Sequence, residues 1–219
     1  MRTILPVIDL GSTISLSLKS EGEIWSKMSS KNRNMIRKAQ KSGVSIQYGN
    51  ERELLHRFKE IYDATMTKDN AEQYYYFDES FYDSINNDLK SNYQVFYAKY
   101  NELVIAMSIF IYANNNMHYH LSGSDSSFRH LAPTNLLIYE AARWGCRQGF
   151  NSLHLGGGLG SGEDNLFKFK KAFNPTSANQ FSIGKQIVDE EKYEFLKELR
   201  KNNDPDFNSE SHFFPVYRA

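Results

Sequence analysis

The stretch SLHLGGGLGSGEDNLFKFKKAF, Ser152–Phe173, carries the sharpest change of character in the sequence. Ser152–Leu155 alternates polar with apolar residues, as a short half-buried strand does. Five glycines then fall between Gly156 and Gly162. That density suits a backbone needing positive φ or close approach to a substrate. The loop lacks the Gly-Lys-Ser/Thr ending of a phosphate-binding loop, and no dinucleotide fingerprint follows a first strand. From Asp164 to about Phe173 the spacing predicts a helix bearing Lys168, Lys170 and Lys171. A strand around Ala178–Ile183 and a charged helix from Asp189 to about Lys201 follow, and the tail after Asn203 shows no period.

Upstream, Tyr93–Tyr100, Leu103–Tyr112 and Met117–Ser122 are rich in β-branched and aromatic residues. Turns at Asn101-Glu102 and Asn114-Asn115-Asn116 join them, so they read as an antiparallel meander. Pro133 fits a first helical turn, and Leu136, Leu137, Glu140, Ala141 and Trp144 carry that helix to Gly149. Nearer the N-terminus, Ser20-Glu21-Gly22-Glu23 forms a capping box. It opens a helix with Trp25, Met28, Ile36 and Ala39 at near-helical spacing, closed by Gly43. A second box, Asn50-Glu51-Arg52-Glu53, predicts a helix with Leu54, Phe58, Ile61 and Thr65 on one face. Asp78 caps a shorter one carrying Phe81, Ile85 and Leu89. With no repeat and no low-complexity linker, the economical reading is one α+β unit over residues 1–203 with a leading N-terminal strand. Residues 204–219 read as an irregular tail.

The chain has 219 residues, 14% of them aromatic, enough to build a core and to exclude a disordered class. Its 26 basic and 26 acidic residues cancel, which excludes a general nucleic-acid coat. The longest apolar run, Leu103–Tyr112, is about half the ~20 residues a membrane span needs, so no transmembrane segment is expected. Met1–Gly11 lacks the apolar core of a secretory signal. With Cys146 as the single cysteine, a reducing, cytoplasmic setting is expected. The neutral total hides a dipole. Lys19–Lys41 holds seven basic residues against two acidic, and Glu51–Asp88 holds ten acidic against four basic. Leu166–Lys185 has four lysines and no acid. Each run can be a solvated helix face, and the two basic ones could also line a cleft for a phosphorylated substrate.

Three segments in order carry a resemblance. The first is Trp25, then Lys31-Asn32-Arg33-Asn34-Met35-Ile36-Arg37-Lys38-Ala39 and Gly43-Val44. The second is His120-Leu121-Ser122-Gly123-Ser124 with Ala132-Pro133-Thr134-Asn135-Leu136-Leu137. The third is His154-Leu155-Gly156-Gly157-Gly158 with Asn165-Leu166-Phe167-Lys168-Phe169-Lys170-Lys171-Ala172-Phe173. Together they resemble the FemABX-type aminoacyltransferases, peptidoglycan bridge-forming enzymes on the GNAT acyltransferase fold, from about Ile8 to Ile183. The resemblance implies a mixed, mostly antiparallel sheet flanked by helices. The family carries two GNAT-like domains in tandem and this chain resembles the second, so either a second copy or another chain supplies the partner half of the acceptor cleft, or acceptor recognition differs, or the domain is a remnant that no longer catalyses.

The resemblance also implies a site. The Phe-Lys pair of the third segment is Phe169 and Lys170. The Lys170 ammonium would stabilise the oxyanion or leaving oxygen, and the Phe169 carbonyl would hold the attacking amine. Arg33, Arg37 and Lys38, at i, i+4 and i+5 of one helix, would approach phosphates of a nucleotide- or lipid-linked cell-wall precursor or of a tRNA. Gly156, Gly157 and Gly158 would lie against substrate. Ordinary acetyl-CoA-dependent GNAT enzymes hold pyrophosphate with an Arg/Gln-x-x-Gly-x-Gly/Ala loop at a helix N-terminus. Here Arg129 is followed by His130-Leu131-Ala132-Pro133-Thr134, without glycine. An aminoacyl-tRNA donor is therefore favoured over acyl-CoA, and no resident cofactor is expected.

His118 and His120 share a strand face and His154 sits on a neighbouring strand. No further carboxylate or thiolate stands at ligand spacing, so they read as satisfied sheet histidines and no metal is expected. Cys146 reads as a structural thiol, and Tyr74-Tyr75-Tyr76-Phe77 as packing. The expected reaction is aminoacyl transfer to an amine of a cell-wall precursor. Acyl-CoA-dependent N-acylation of an amino sugar or polysaccharide intermediate is the alternative enzyme, and a non-catalytic binding domain the alternative class.

Overall fold

The computed structural model describes residues 5–211 and 213–219. In chain order its elements are β1 (Val7–Ser17), α1 (Glu21–Lys27), α2 (Ser30–Lys41), β2 (Ser45–Gly49), α3 (Arg52–Lys68) and α4 (Glu79–Ser84). The meander β3 (Tyr93–Tyr100), β4 (Leu103–Ala113) and β5 (Asn116–Ser124) follows. Then come α5 (Pro133–Arg147), β6 (Ser152–Gly156), α6 (Asn165–Lys171), β7 (Asn179–Gly184) and α7 (Glu190–Asn203). The strand order is β2-β3-β4-β5-β6-β1-β7. The β5–β6 pair is parallel and needs the crossover that α5 supplies. The β2–β3, β3–β4, β4–β5 and β1–β6 pairs are antiparallel, so the sheet is mixed and mostly antiparallel as expected.

Both hairpin turns of the meander follow from local chemistry. Asn101 and Glu102 have φ of 47° and 63°, and Asn114 and Asn115 have 49° and 58°. Two consecutive left-handed residues match the twist of the flanking strands. Strand residues then divide by face. Phe96, Ala98 and Phe110 pack with Ile24, Ile36, Leu137 and Ala141 of α1, α2 and α5. Val95, Met107 and Ile109 pack with Leu55, Phe58 and Tyr82 of α3 and α4. Helices cover both faces, which is why these strands read as nearly unbroken apolar runs.

Residues 12–179 form one compact unit, and the described residues of 1–11 and 180–219 form a second. The division runs through β1 and β7. Within the second unit the segment after α7 is tied to that helix: the Val216 amide donates to the Tyr193 hydroxyl at 3.1 Å, and Val216 is buried. Among the described residues no helix is long and apolar enough to cross a membrane.

Three local expectations change. The helix from the first capping box is two helices, because Ser29 caps α2 by accepting from the Asn32 amide at 3.2 Å. The inward face of α3 is Leu55, Phe58 and Tyr62, with Leu54 and Ile61 on its flank. Thr65 accepts from the Ser124 amide of β5 at 2.9 Å instead of packing. Strand β2 had no signal in the pattern: its residues alternate poorly and most are exposed.

Candidate active site

Strands β5 and β6 are in register at Asn116–Ser152, Met117–Leu153 and His118–His154. Beyond that point β5 bulges: Phe110 of β4 pairs with Tyr119 and Ile109 with Leu121, leaving His120 as the extra residue. A bulge bends its strand and re-aims side chains. The chemistry-bearing groups gather at this parting of the two strands.

Lys170 comes from α6, whose start is fixed by Asp164. One Asp164 oxygen caps the Phe167 amide at 2.8 Å and the other holds the Leu159 amide at 3.1 Å, pinning the glycine loop to the helix. Lys170 is only 9% exposed. Its Nζ donates to the Gly157 carbonyl at 2.7 Å and stands 6.0 Å from the centre of the Tyr119 ring. Burial pulls its pKa below the usual lysine value, and the Asp164 carboxylate opposes that shift. Gly156 has φ of +76°, and a Cβ there would lie 3.4 Å from Nζ. A Cβ on Gly157 would sit 2.9 Å from the Ser12 carbonyl, and one on Gly158 would meet the Gly162 carbonyl. Gly156 therefore lies against the ammonium, while Gly157 and Gly158 let the loop pack against the Ser12 and Gly162 backbone. The Phe169 ring packs edge-on to Phe173 with centroids 5.5 Å apart. Its carbonyl accepts from the Ala172 amide at 3.2 Å in the last turn of α6, which leaves one lone pair.

The basic residues of α2 part company. Arg33 turns back on α1, donating to the carbonyls of Met28 and Ser26, where a cation satisfies orphan acceptors at a helix C-terminus. Arg37 lies with its guanidinium 5.0 Å over the Trp25 ring and donates to Asn34 at 3.2 Å. Arg37 and Lys38, with Asn34, Lys41 and Ser42, line a depression of about 350 Å³.

The histidines are brought together more closely than their spacing suggested. His118 and His154 approach Nδ1 to Nδ1 at 2.9 Å with rings 22° from parallel. The His120 ring is 6.0 Å from that of His118, and Phe81 of α4 is 6.4 Å from His120. Burial, then the charges of His154, His120 and Lys170, push His118 down to about 4. Burial and Lys170 lower His154, and burial lowers His120. Period-two spacing on β5 and a histidine just before the glycine loop were the available signals. Among the described residues no group of three His, Cys, Asp or Glu could hold a metal ion.

At the start of α5 the loop amides are already engaged. Ser127 donates to the Asp125 side chain at 2.9 Å, Phe128 to the Asp125 carbonyl at 3.2 Å and Ala132 to the Arg129 carbonyl at 3.1 Å. Ala132 is left-handed, and Pro133 has no amide hydrogen to offer.

The family described as acetyltransferase (GNAT) domain matches residues 26–171. No curated protein matches the sequence. Among solved structures, FemX superposes with a TM-score of 0.70 at 16% identity, over 86% of this chain and 64% of that one. The C-terminal domain of a putative lysylphosphatidylglycerol synthetase from Agrobacterium fabrum gives 0.61 at 13% identity, over 85% and 64%. An aminoglycoside acetyltransferase from an uncultured soil metagenomic sample, in complex with sisomicin, gives 0.53 at 12% identity, over 67% and 97%. The chain thus spans about two thirds of the first two and nearly all of the third. At these identities the likeness is one of fold, a FemABX-like GNAT fold.

Proposed function

The chain belongs to the GNAT acetyltransferase-domain family, and from that premise we propose that it transfers an aminoacyl group from aminoacyl-tRNA to an amine of a cell-wall precursor. The observation that carries the reading is Lys170, a buried ammonium steadied by the Gly157 carbonyl beside the parting of β5 and β6. One of its three hydrogens is committed to that carbonyl, and the others can reach an oxygen of the substrate. As the amine attacks the ester carbonyl, the C–N bond forms and negative charge collects on oxygen. A preorganised donor in a partly dehydrated site contributes several kcal/mol there, on the order of one oxyanion donor. The C–O bond to the tRNA ribose then breaks and the departing oxygen takes a proton. The free lone pair of the Phe169 carbonyl would accept from the amine and orient it. Arg37 and Lys38 would bind phosphate, with Arg33 supporting the turn between α1 and α2 rather than touching substrate.

Two observations support the donor. Three amides before α5 are spent within their own turn and Pro133 has none to offer, which leaves a pyrophosphate fewer donors there. One solved relative is named for a lysyl product. The chain covers 64% of FemX, and we propose that a further domain, a second copy or another chain completes the acceptor cleft. The test is transfer of labelled amino acids from bulk aminoacyl-tRNA to nucleotide- or lipid-linked muropeptide precursors. Lys170→Met should lower kcat by about 10²–10³. Full turnover by the variant overturns the role of Lys170, and micromolar binding of acetyl-CoA by calorimetry overturns the aminoacyl-tRNA donor.

A further inference from the structure

We infer that His118 and His154 form one proton relay, which takes the proton shed by the attacking amine and returns it to the departing oxygen. The inference rests on the acyl-transfer reading and adds to it the proton path that Lys170 cannot supply.

The contact dictates its own tautomers. At 2.9 Å between Nδ1 atoms, one nitrogen must carry a hydrogen and the other a lone pair, since two hydrogens or two lone pairs would repel. With burial and neighbouring charge holding both rings below the ordinary imidazole value, they are two neutral imidazoles of opposite tautomer. The donor ring has a bare Nε2, and the acceptor ring carries its hydrogen on Nε2. A proton arriving at the bare Nε2 leaves the inter-ring bond intact. Shifting the shared hydrogen to the second ring then frees that ring to release its own Nε2 hydrogen. Uptake at one end and release at the other need no side-chain movement and leave the two tautomers exchanged. The pair resets by passing the next proton the other way or by exchange with the solvent that both half-buried rings meet.

Position fits the same role. The pair occupies the last register of β5 with β6, where the strands part and where the charge of Lys170 reaches both rings. His120 faces His118 from β5, Lys170 faces it from α6, and Phe81 of α4 closes the side beyond His120. The charge of Lys170 resists a second proton, so the relay holds one at a time. Both rings are half-buried rather than sealed. The step balances: the amine nitrogen grows more acidic as its bond to carbon forms, its proton passes to the pair, the C–O bond breaks, and the leaving oxygen receives that proton.

The test has two arms. Nitrogen NMR of the histidine-labelled, unliganded chain should show one ring protonated at Nδ1 and its partner at Nε2, with a downfield shared hydrogen. Identical tautomers or independent rings overturn the relay. In the bulk aminoacyl-tRNA assay, His154→Gln and His118→Gln should each lower kcat about 100-fold while KM for donor and acceptor changes less than twofold, with folding checked by thermal melting. Wild-type transfer accompanied by full kcat in both variants overturns the relay and spares the acyl-transfer reading. Absence of transfer by the wild type overturns that reading and the relay with it.

Discussion

Acid should unfold the larger unit earlier than its carboxylates alone would dictate, and His118 sets the size of the effect. Its imidazole is held at about 4 against an ordinary 6.5, mainly by burial. The unfolded chain therefore takes up this proton near pH 6.5 and the folded chain only near pH 4. Between those values the unfolded state binds more protons, so stability rises with pH and is lost as pH falls. At pH 5 the unfolded imidazole is almost fully protonated and the folded one about a tenth, a difference of about 2 kcal/mol, rising to about 3 kcal/mol below pH 4. His154 and His120 are shifted the same way and add to it. The carboxylates held low, Glu21 by Arg143 and Asp164 by the Phe167 amide, remain ionised in this window and lose their contribution only below it. The window from pH 6.5 to 5 thus belongs to the imidazoles. Urea titrations followed by the fluorescence of Trp25 and Trp144 at pH 8, 6.5 and 5 measure it. His118→Gln should remove about 2 kcal/mol of the difference between pH 8 and 5. An unchanged pH dependence in that variant would refute the reasoning.

Three further outcomes test the packing and the site. Gly123→Ala should cost about 1–3 kcal/mol in thermal or urea melts, because its Cβ would lie 2.9 Å from the Ile61 carbonyl and the Tyr62 backbone of α3. Ser29→Ala should cost about 1 kcal/mol by removing the cap of α2, read by the same melts. Gly156→Ala should cost about 1–2 kcal/mol of stability for its left-handed backbone. Transfer should fall no further than that loss explains, since the new methyl would lie at an ordinary contact distance, 3.4 Å, from Nζ of Lys170.

Features that rest on near neighbours were legible in the sequence. Ser20 and Asp78 cap the helices expected of them, and Asp164 and Asp189 cap the helices that were expected to start there, because an N-cap needs only its own side chain and an amide three residues on. The Asn50 box fails, as α3 starts after Glu51 with no side-chain cap. Strands β3, β4 and β5 declared themselves by β-branched and aromatic runs and by asparagine turns. The inward face of α3 was misjudged by one residue for a physical reason. Leu54 with Leu55, and Ile61 with Tyr62, are adjacent apolar pairs, and either set recurs at helical spacing until the sheet selects one. Strand β2 has almost no apolar signal and exists because β3 offers it an edge. That Lys170 lies on a helix behind the glycine loop was legible, and its burial was not. The His118–His154 contact was not, since 36 residues separate the partners and only the parallel register set by the α5 crossover aligns them.

The charges of α2 show how one local break redirects function. On an unbroken helix Arg33 and Arg37, four residues apart, would present their guanidinium groups to the same phosphate. Ser29 ends that continuity, and the C-terminal carbonyls of α1 become acceptors without helical partners. Arg33 fills them through Met28 and Ser26, while Arg37 and Lys38 stay at the surface depression. The same break exposes the Ser29 amide, which donates to the Ala172 carbonyl at the end of α6 at 2.9 Å. The turn that removes one arginine from phosphate binding therefore ties the basic helix to the helix that carries Lys170. Displacing that turn would disturb the Lys170 ammonium and the Arg37–Lys38 depression together, so substitutions at Ser29 should alter both turnover and acceptor KM.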